Sequence, residues 1–203
     1  MPKETFLNLS QEKKQHIEQI LLEKFYNRHI SQVKVSEIVE AMQMSRGAFY
    51  KYFQDLEDAY FYLIHKYAMK IHGDILSSIS QHKQDFFLGI ENFLIFCSEL
   101  DRNDRYWQML QLLTQSSHSQ MTQRKKLSPD SPMFSQWLDL LKHNHFVMDS
   151  YDEALSFLYF IMNLVMNALT DCIVNNWSTE ELVHDFHFQK KWLLQGIKHK
   201  TTS

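Results

Sequence analysis

The chain is predicted to be all-α, with a small N-terminal three-helix module followed by a larger C-terminal helical domain. Only four Gly and three Pro occur in 203 residues, so few positions would break a helix. Apolar residues recur at intervals of three and four rather than two, the period of an amphipathic helix. Ser and Asp stand just ahead of several of these stretches, where a side-chain oxygen can satisfy the free N–H groups of a first helical turn. No strand pattern competes with this reading. A 44% hydrophobic composition is enough for an ordinary core.

The first helix is expected to begin at Asn8 or Ser10 and to run to about His29, with Ile17, Ile20, Leu21 and Phe25 inward. Residues 35 to 53, VSEIVEAMQMSRGAFYKYF, then form two short helical patterns joined by a three-residue turn. In the first, Ser36 is read as the N-cap, with Ile38, Val39 and Met42 on one face. In the second, Ser45 is the cap, Phe49 and Phe53 face inward, and Arg46, Gly47, Ala48, Tyr50, Lys51 and Tyr52 remain outside. This is the layout of a helix-turn-helix, in which the second helix enters a DNA major groove. Small residues near its start let the backbone approach base edges. Arg46 can fork to guanine, while Tyr50, Lys51, Tyr52, Ser36 and Lys34 can reach phosphates.

Asp55 caps a long helix through Tyr60, Leu63, Ile64, Tyr67, Ala68, Ile71 and Ile75 to about Ser80. Helical stretches follow from Asp85 and from Arg105, and Gln115 to Asp130 reads as a long polar loop. Ser131-Pro132 reads as cap and first helical residue before Phe134, Trp137, Leu138 and Leu141. Ser150 with Glu153, and Ser178 with Glu181, are capping boxes. The first opens a helix that runs through Phe157 to Ile173 and is apolar on most faces; the second opens one through Leu182, Phe186, Leu193 and Ile197. A helix apolar nearly all round needs cover on more than one side, so these last two helices are expected to pair with their copies in a homodimer. The domains expected are 1–54, a helix-turn-helix DNA-binding domain, and 55–203, for effector binding and dimerisation.

Charge and motifs narrow the function classes. The net charge is −3, but residues 1–55 hold eight Lys and Arg against seven Asp and Glu, a small basic excess that two modules acting together would have to multiply. There is no glycine-rich phosphate loop, no G-x-S-x-G and no H-E-x-x-H, so an enzyme is not expected. His184 and His187, like His143 and His145, read as surface histidines, and Cys97 and Cys172 as two reduced, buried thiols. No run of about 18 uncharged apolar residues and no signal peptide is evident, so the expected compartment is the cytoplasm, with no membrane partner.

The N-terminal block resembles the TetR family of bacterial transcriptional regulators. Ile38, the turn into Ser45-Arg46-Gly47-Ala48-Phe49-Tyr50, Tyr52-Phe53 and Glu57 carry the resemblance, which covers roughly residues 10 to 65. It implies a regulator, read here as a repressor, that binds a palindromic operator as a homodimer and is released by a small hydrophobic effector. Two positions depart from the family pattern: Gln43 stands where Gly is usual in the turn, and Leu56 where a phosphate-binding Lys is usual. Residues from the N-terminus through Ile71-His72 further resemble the heme-responsive members of lactic acid bacteria that control heme efflux. That likeness implies His72 as an axial ligand of heme iron, with a second ligand placed near Met166, and heme as an effector rather than a required cofactor. The other candidates for lining an effector cavity are Phe93, Cys97, Trp107, Leu110, Trp137, Phe157, Ile161 and Val165. The alternative is a helical interaction module that does not bind DNA, favoured by Leu56 and the small basic excess.

Overall fold

The computed structural model describes residues 1–82, 84–115 and 127–195, and every regular element among them is helical. In chain order the helices are α1 (Glu4–Leu7), α2 (Gln11–Phe25), α3 (Val35–Ala41), α4 (Arg46–Tyr52), α5 (Leu56–Gln81), α6 (Phe86–Ser98), α7 (Arg105–Gln115), α8 (Pro132–His143), α9 (Tyr151–Asn175) and α10 (Thr179–Gln195). They pack as two compact units. The first takes residues 1–71 and 101–115, the second 72–100 and 127–195, so α5 contributes to both.

In the first unit, α2 supplies the fully buried Ile17, Leu21, Leu22 and Phe25, and Ile38, Phe49, Phe53 and Leu63 come in from α3, the α4 end and α5. The first helix begins as expected at Ser10, whose hydroxyl accepts from the Lys13 N–H, but it stops at Phe25 rather than near His29. His29 is extended and its Nδ1 accepts from Ser31 N–H, opening a short 3₁₀ turn, Ile30–Gln32. Arg28 then donates to Gln32 O and to the Glu37 carboxylate at 2.7 Å, fixing the entry to α3. That pairing holds the Glu37 carboxyl below its ordinary range, chiefly through the hydrogen bond from Arg28. Helix α1 was not anticipated: Glu4–Leu7 is too short to show a period, and it is fixed by burial of Phe6. Glu18 is the one buried charged residue among those described. It accepts from the Tyr62 hydroxyl and from Lys66 Nζ, each at 2.5 Å, so α2 and α5 are tied by a charge-assisted network.

The turn between α3 and α4 closes through the backbone. Gln43 N–H donates to Glu40 O and Met44 N–H to Val39 O, with Gln43 in the left-handed region at φ 51°. These are the paired bonds of a Schellman ending, for which glycine is the unstrained residue at the Gln43 position. The N-cap of α3 is Lys34, not Ser36, because the extended backbone leaving the 3₁₀ turn enters the helix at Val35. Ser36 therefore lies inside the first turn with its side chain exposed.

In the second unit α6 packs on α9 and α10. Phe93, Leu94 and Cys97 of α6 are buried, as are Ile161, Val165 and Leu169 of α9 and Leu182 and Phe186 of α10. The anticipated caps are present: Ser131 and Ser150 accept from Phe134 and Glu153 N–H, and Ser178 and Glu181 cap each other reciprocally; Asp85 also caps α6, accepting from Leu88 N–H. Asp55 likewise accepts from Asp58 N–H at the start of α5. Leu138 and Leu193 are exposed, whereas Leu140 is buried. Most of the polar loop expected from Gln115 to Asp130, and Ile197, lie outside the described residues. By length and composition α9 could cross a membrane, but Ala154, Leu158, Ile161, Met162 and Val165 are buried within this unit.

Gly89 sets how closely α5 and α6 approach. A Cβ there would stand 2.5 Å from Ile79 Cα and 2.9 Å from Ser78 O, both backbone atoms, and Ser78 Oγ donates to Gly89 O at 2.8 Å. Gly89→Ala should therefore force the helices apart and lower stability by about 1 to 3 kcal/mol, read as a fall in denaturation midpoint. Gln43→Gly should act in the opposite direction, raising stability by about 1 kcal/mol through relief of the left-handed strain; an unchanged or lower midpoint would show that Gln43 carries no such strain.

Candidate nucleic-acid interface

Helix α4 has only seven residues, fewer than an isolated helix needs to persist in water. At its start Ser45 Oγ accepts from Ala48 N–H at 3.2 Å, the cap expected from sequence. Its inward face is aromatic. Phe49 and Phe53 are fully buried with ring centroids 5.5 Å apart, and Phe53 is flanked by Phe6 at 4.9 Å and Tyr62 at 6.0 Å. Such ring clusters add to the burial of apolar surface through their edge and tilted contacts.

Fixing that face turns the opposite one outward. Arg46, Gly47, Tyr50 and Lys51 are exposed, Tyr50 by 42%. A Cβ on Gly47 would meet only Ser45 Oγ, at 3.8 Å, so the interior does not require glycine there. Ala48 and Tyr52, expected outside, are half-buried, and Tyr52 lies edge-on to Phe6 at 6.0 Å. A helix two turns long that buries its i and i+4 aromatics also shields the residues beside them. Lys34 and Ser36 are exposed at the start of α3, and Leu56 is half-buried at the start of α5. The outward set thus offers a guanidinium, an ammonium, a phenol and a bare stretch of backbone, the groups that contact base edges and phosphates.

The residues expected around an effector divide between the units. Trp107 and Leu110 lie on α7 in the first, which packs on α2; Leu110 is buried and Trp107 half-buried. His72, Phe93, Cys97, Trp137, Phe157, Ile161, Val165 and Met166 belong to the second. There Trp137 is fully buried and its indole N–H donates to Ala154 O at 2.8 Å, with Phe157 and Phe86 at 5.7 and 5.8 Å. Phe93, Cys97, Ile161 and Val165 are buried, and Phe157 and Met166 are half-buried. The Cys97 thiol is pushed far up, first by burial, which keeps it protonated and inert, and both cysteines are free. His72 is half-buried on α5, and burial lowers its imidazole below the usual histidine range, leaving the ring neutral with a lone pair to offer. Among the described residues no cluster of three or more His, Cys, Asp or Glu is placed to hold a metal ion. His187 instead pairs with Glu91 at 3.0 Å, and His184 lies 4.7 Å from the Phe188 ring.

The family description "Tetracyclin repressor-like, C-terminal domain" matches residues 85–197, more than half of the chain. No curated protein matches it. Among solved structures, the fatty acid degradation regulator FadR from Bacillus halodurans aligns with a TM-score of 0.54 at 15% identity, over 95% of this chain and 100% of that one, a likeness of fold alone. A TetR family transcriptional regulator from Chloroflexus aurantiacus J-10-FL aligns with a TM-score of 0.43 at 20% identity, over 95% and 90% of the two chains. A TetR transcriptional regulator from Rhodococcus sp. RHA1 gives 0.44 at 14% identity, over 93% and 100%. The matched C-terminal domain, following a capped helix-turn-helix in an all-helical chain, makes this protein a member of the tetracyclin repressor-like, or TetR, family of transcriptional regulators.

Proposed function

We propose that the protein is a ligand-responsive repressor that binds a palindromic operator as a homodimer in the cytoplasm and is released by a small, largely apolar effector. The observation that carries this reading is the division of α4 into two faces, Phe49 and Phe53 buried and Arg46, Gly47, Tyr50 and Lys51 exposed. Arg46 is the base-reading residue. Tyr50, Lys51, Tyr52, Lys34 and Ser36 hold the phosphates, with Ser45, Gly47 and Ala48 letting the backbone come close. Two copies place two such helices in successive major grooves. The second copy docks on α9 and α10, where Phe160, Val174, Phe188, Trp192 and Leu194 are exposed. An apolar face of this kind on two neighbouring helices favours a partner helix pair.

The effector acts on the second unit and lowers operator affinity by no more than its differential affinity for the bound and released states. His72 is its polar anchor, a role supported by the neutral ring that burial enforces. The same neutrality suits a ligand to heme iron, and Met166 is half-buried in the same unit and carries a thioether that can ligate iron. Heme is therefore the first effector to try.

Arg46→Ala should weaken operator binding by about 1 to 3 kcal/mol and relax base preference at one position per half-site; unchanged affinity and selectivity would place the reading helix elsewhere. Operator binding should also weaken steeply with added salt, which a helical interaction module that ignores DNA would not do. Titrated with ferric heme, the protein should shift the Soret band and His72→Ala should abolish the shift; no shift in the unmodified protein removes heme while leaving other apolar effectors in play.

A further inference from the structure

The two short helices of the helix-turn-helix end differently. The last carbonyls of α3 are met within its own turn, by Met42, Gln43 and Met44 N–H. At the end of α4 the chain leaves in an extended conformation at Phe53, φ −127° and ψ 151°, so no such local closure forms. The last four carbonyls of a helix have no partner inside it and need one from elsewhere. Phe49 O accepts from Phe53 N–H at 3.0 Å. The other three are met from the segment ahead of α2. Lys3 Nζ donates to Tyr50 O at 2.7 Å, Thr5 Oγ1 donates to Lys51 O, and Lys3 N–H donates to Tyr52 O at 2.9 Å. Phe6 pins this segment, fully buried and in ring contact with Tyr52, Phe53 and Tyr62. The Lys3 ammonium also stands at the negative end of the α4 dipole, where a cation is favourable.

We propose that Lys3–Phe6 is an external C-cap for the reading helix, and that Lys3 and Thr5 are positioning residues for operator recognition that do not themselves touch DNA. This inference rests on the DNA-binding reading of α4. A helix of seven residues holds its outward side chains at one angle only if both ends are fixed. Ser45 fixes the start, and Lys3 and Thr5 supply what the sequence after Tyr52 does not. Loss of either donor leaves a carbonyl facing water and frees the last turn to fray, displacing Tyr50 and Lys51 while Phe49 stays buried.

The test uses the full chain, a duplex selected by the unmodified protein from a randomised pool, and amide hydrogen exchange of the free protein. Lys3→Met and Thr5→Val should each weaken duplex binding roughly tenfold, the size of a lost charged or capping bond. The slope of log affinity against log salt should change alike in Lys3→Met and Thr5→Val, because each acts only through the last turn of α4 and neither removes a phosphate contact of its own. Exchange should quicken in α4 and stay as it was in α9, and Thr5→Ser, which keeps the hydroxyl, should bind as the unmodified protein does. Unchanged exchange in α4 would overturn the proposal. So would a salt slope reduced by about one more in Lys3→Met than in Thr5→Val, which would make Lys3 a phosphate ligand, or a lower melting midpoint with affinity intact at low temperature. Should the unmodified protein select no duplex, the operator reading fails on its own account, and the exchange result still decides the cap.

Discussion

A seven-residue helix cannot support itself, and most of the first unit is arranged around that constraint. Nucleating a helix fixes several dihedral angles for one hydrogen bond, so α4 exists only because its neighbours hold it. Phe49 and Phe53 supply the anchor, and both are wholly withdrawn from solvent. Once they are seated among Phe6 and Tyr62, rotation about the helix axis is no longer free, and the exposure of Arg46, Tyr50 and Lys51 follows. The reading face is thus a consequence of the buried face. The same anchoring explains why Ala48 and Tyr52 are partly covered, since they flank the aromatics on a cylinder only two turns long.

The supports around α4 are of two physical kinds. Apolar burial holds α2, α3 and the first part of α5 to one another without specifying direction. Direction comes from polar ties. Glu18 joins α2 to α5 through Tyr62 and Lys66, and Arg28 joins the end of α2 to Glu37 in α3. A carboxylate as buried as Glu18 is tolerated because both its oxygens accept charge-assisted bonds. The second unit relies more on shape. Gly89 admits the backbone of α5, and Phe86, Trp137, Phe146 and Phe157 fill the space between α6, α8 and α9.

Much of this was legible in the residues, for reasons that can be named. Ser10, Ser45, Asp55, Asp85, Ser131, Ser150 and Ser178 each cap the helix they precede, because capping depends on three or four neighbouring residues and on nothing distant. Ser36 misled for a related reason: a good capping residue loses to the position where the backbone enters the helix, and the 3₁₀ turn before it set that entry at Lys34. Phe6 gave no signal at all. A four-residue helix has no period, and its partners Tyr52, Phe53 and Tyr62 lie more than 45 residues away.

The sequence by itself determined the helical class, the order of the helices after α1, most of their caps, and the side of α4 that would be buried, since each depends on short-range periodicity and local hydrogen bonding. Tertiary structure alone decided what meets the free carbonyls of Tyr50, Lys51 and Tyr52, why Gly89 must lack a side chain, and that Trp107 and Leu110 share a unit with α2 rather than with Phe93 and Ile161. Those facts concern groups distant along the chain. No periodicity records such pairings, because they are fixed only when helices close on one another and each buried polar group must find a partner.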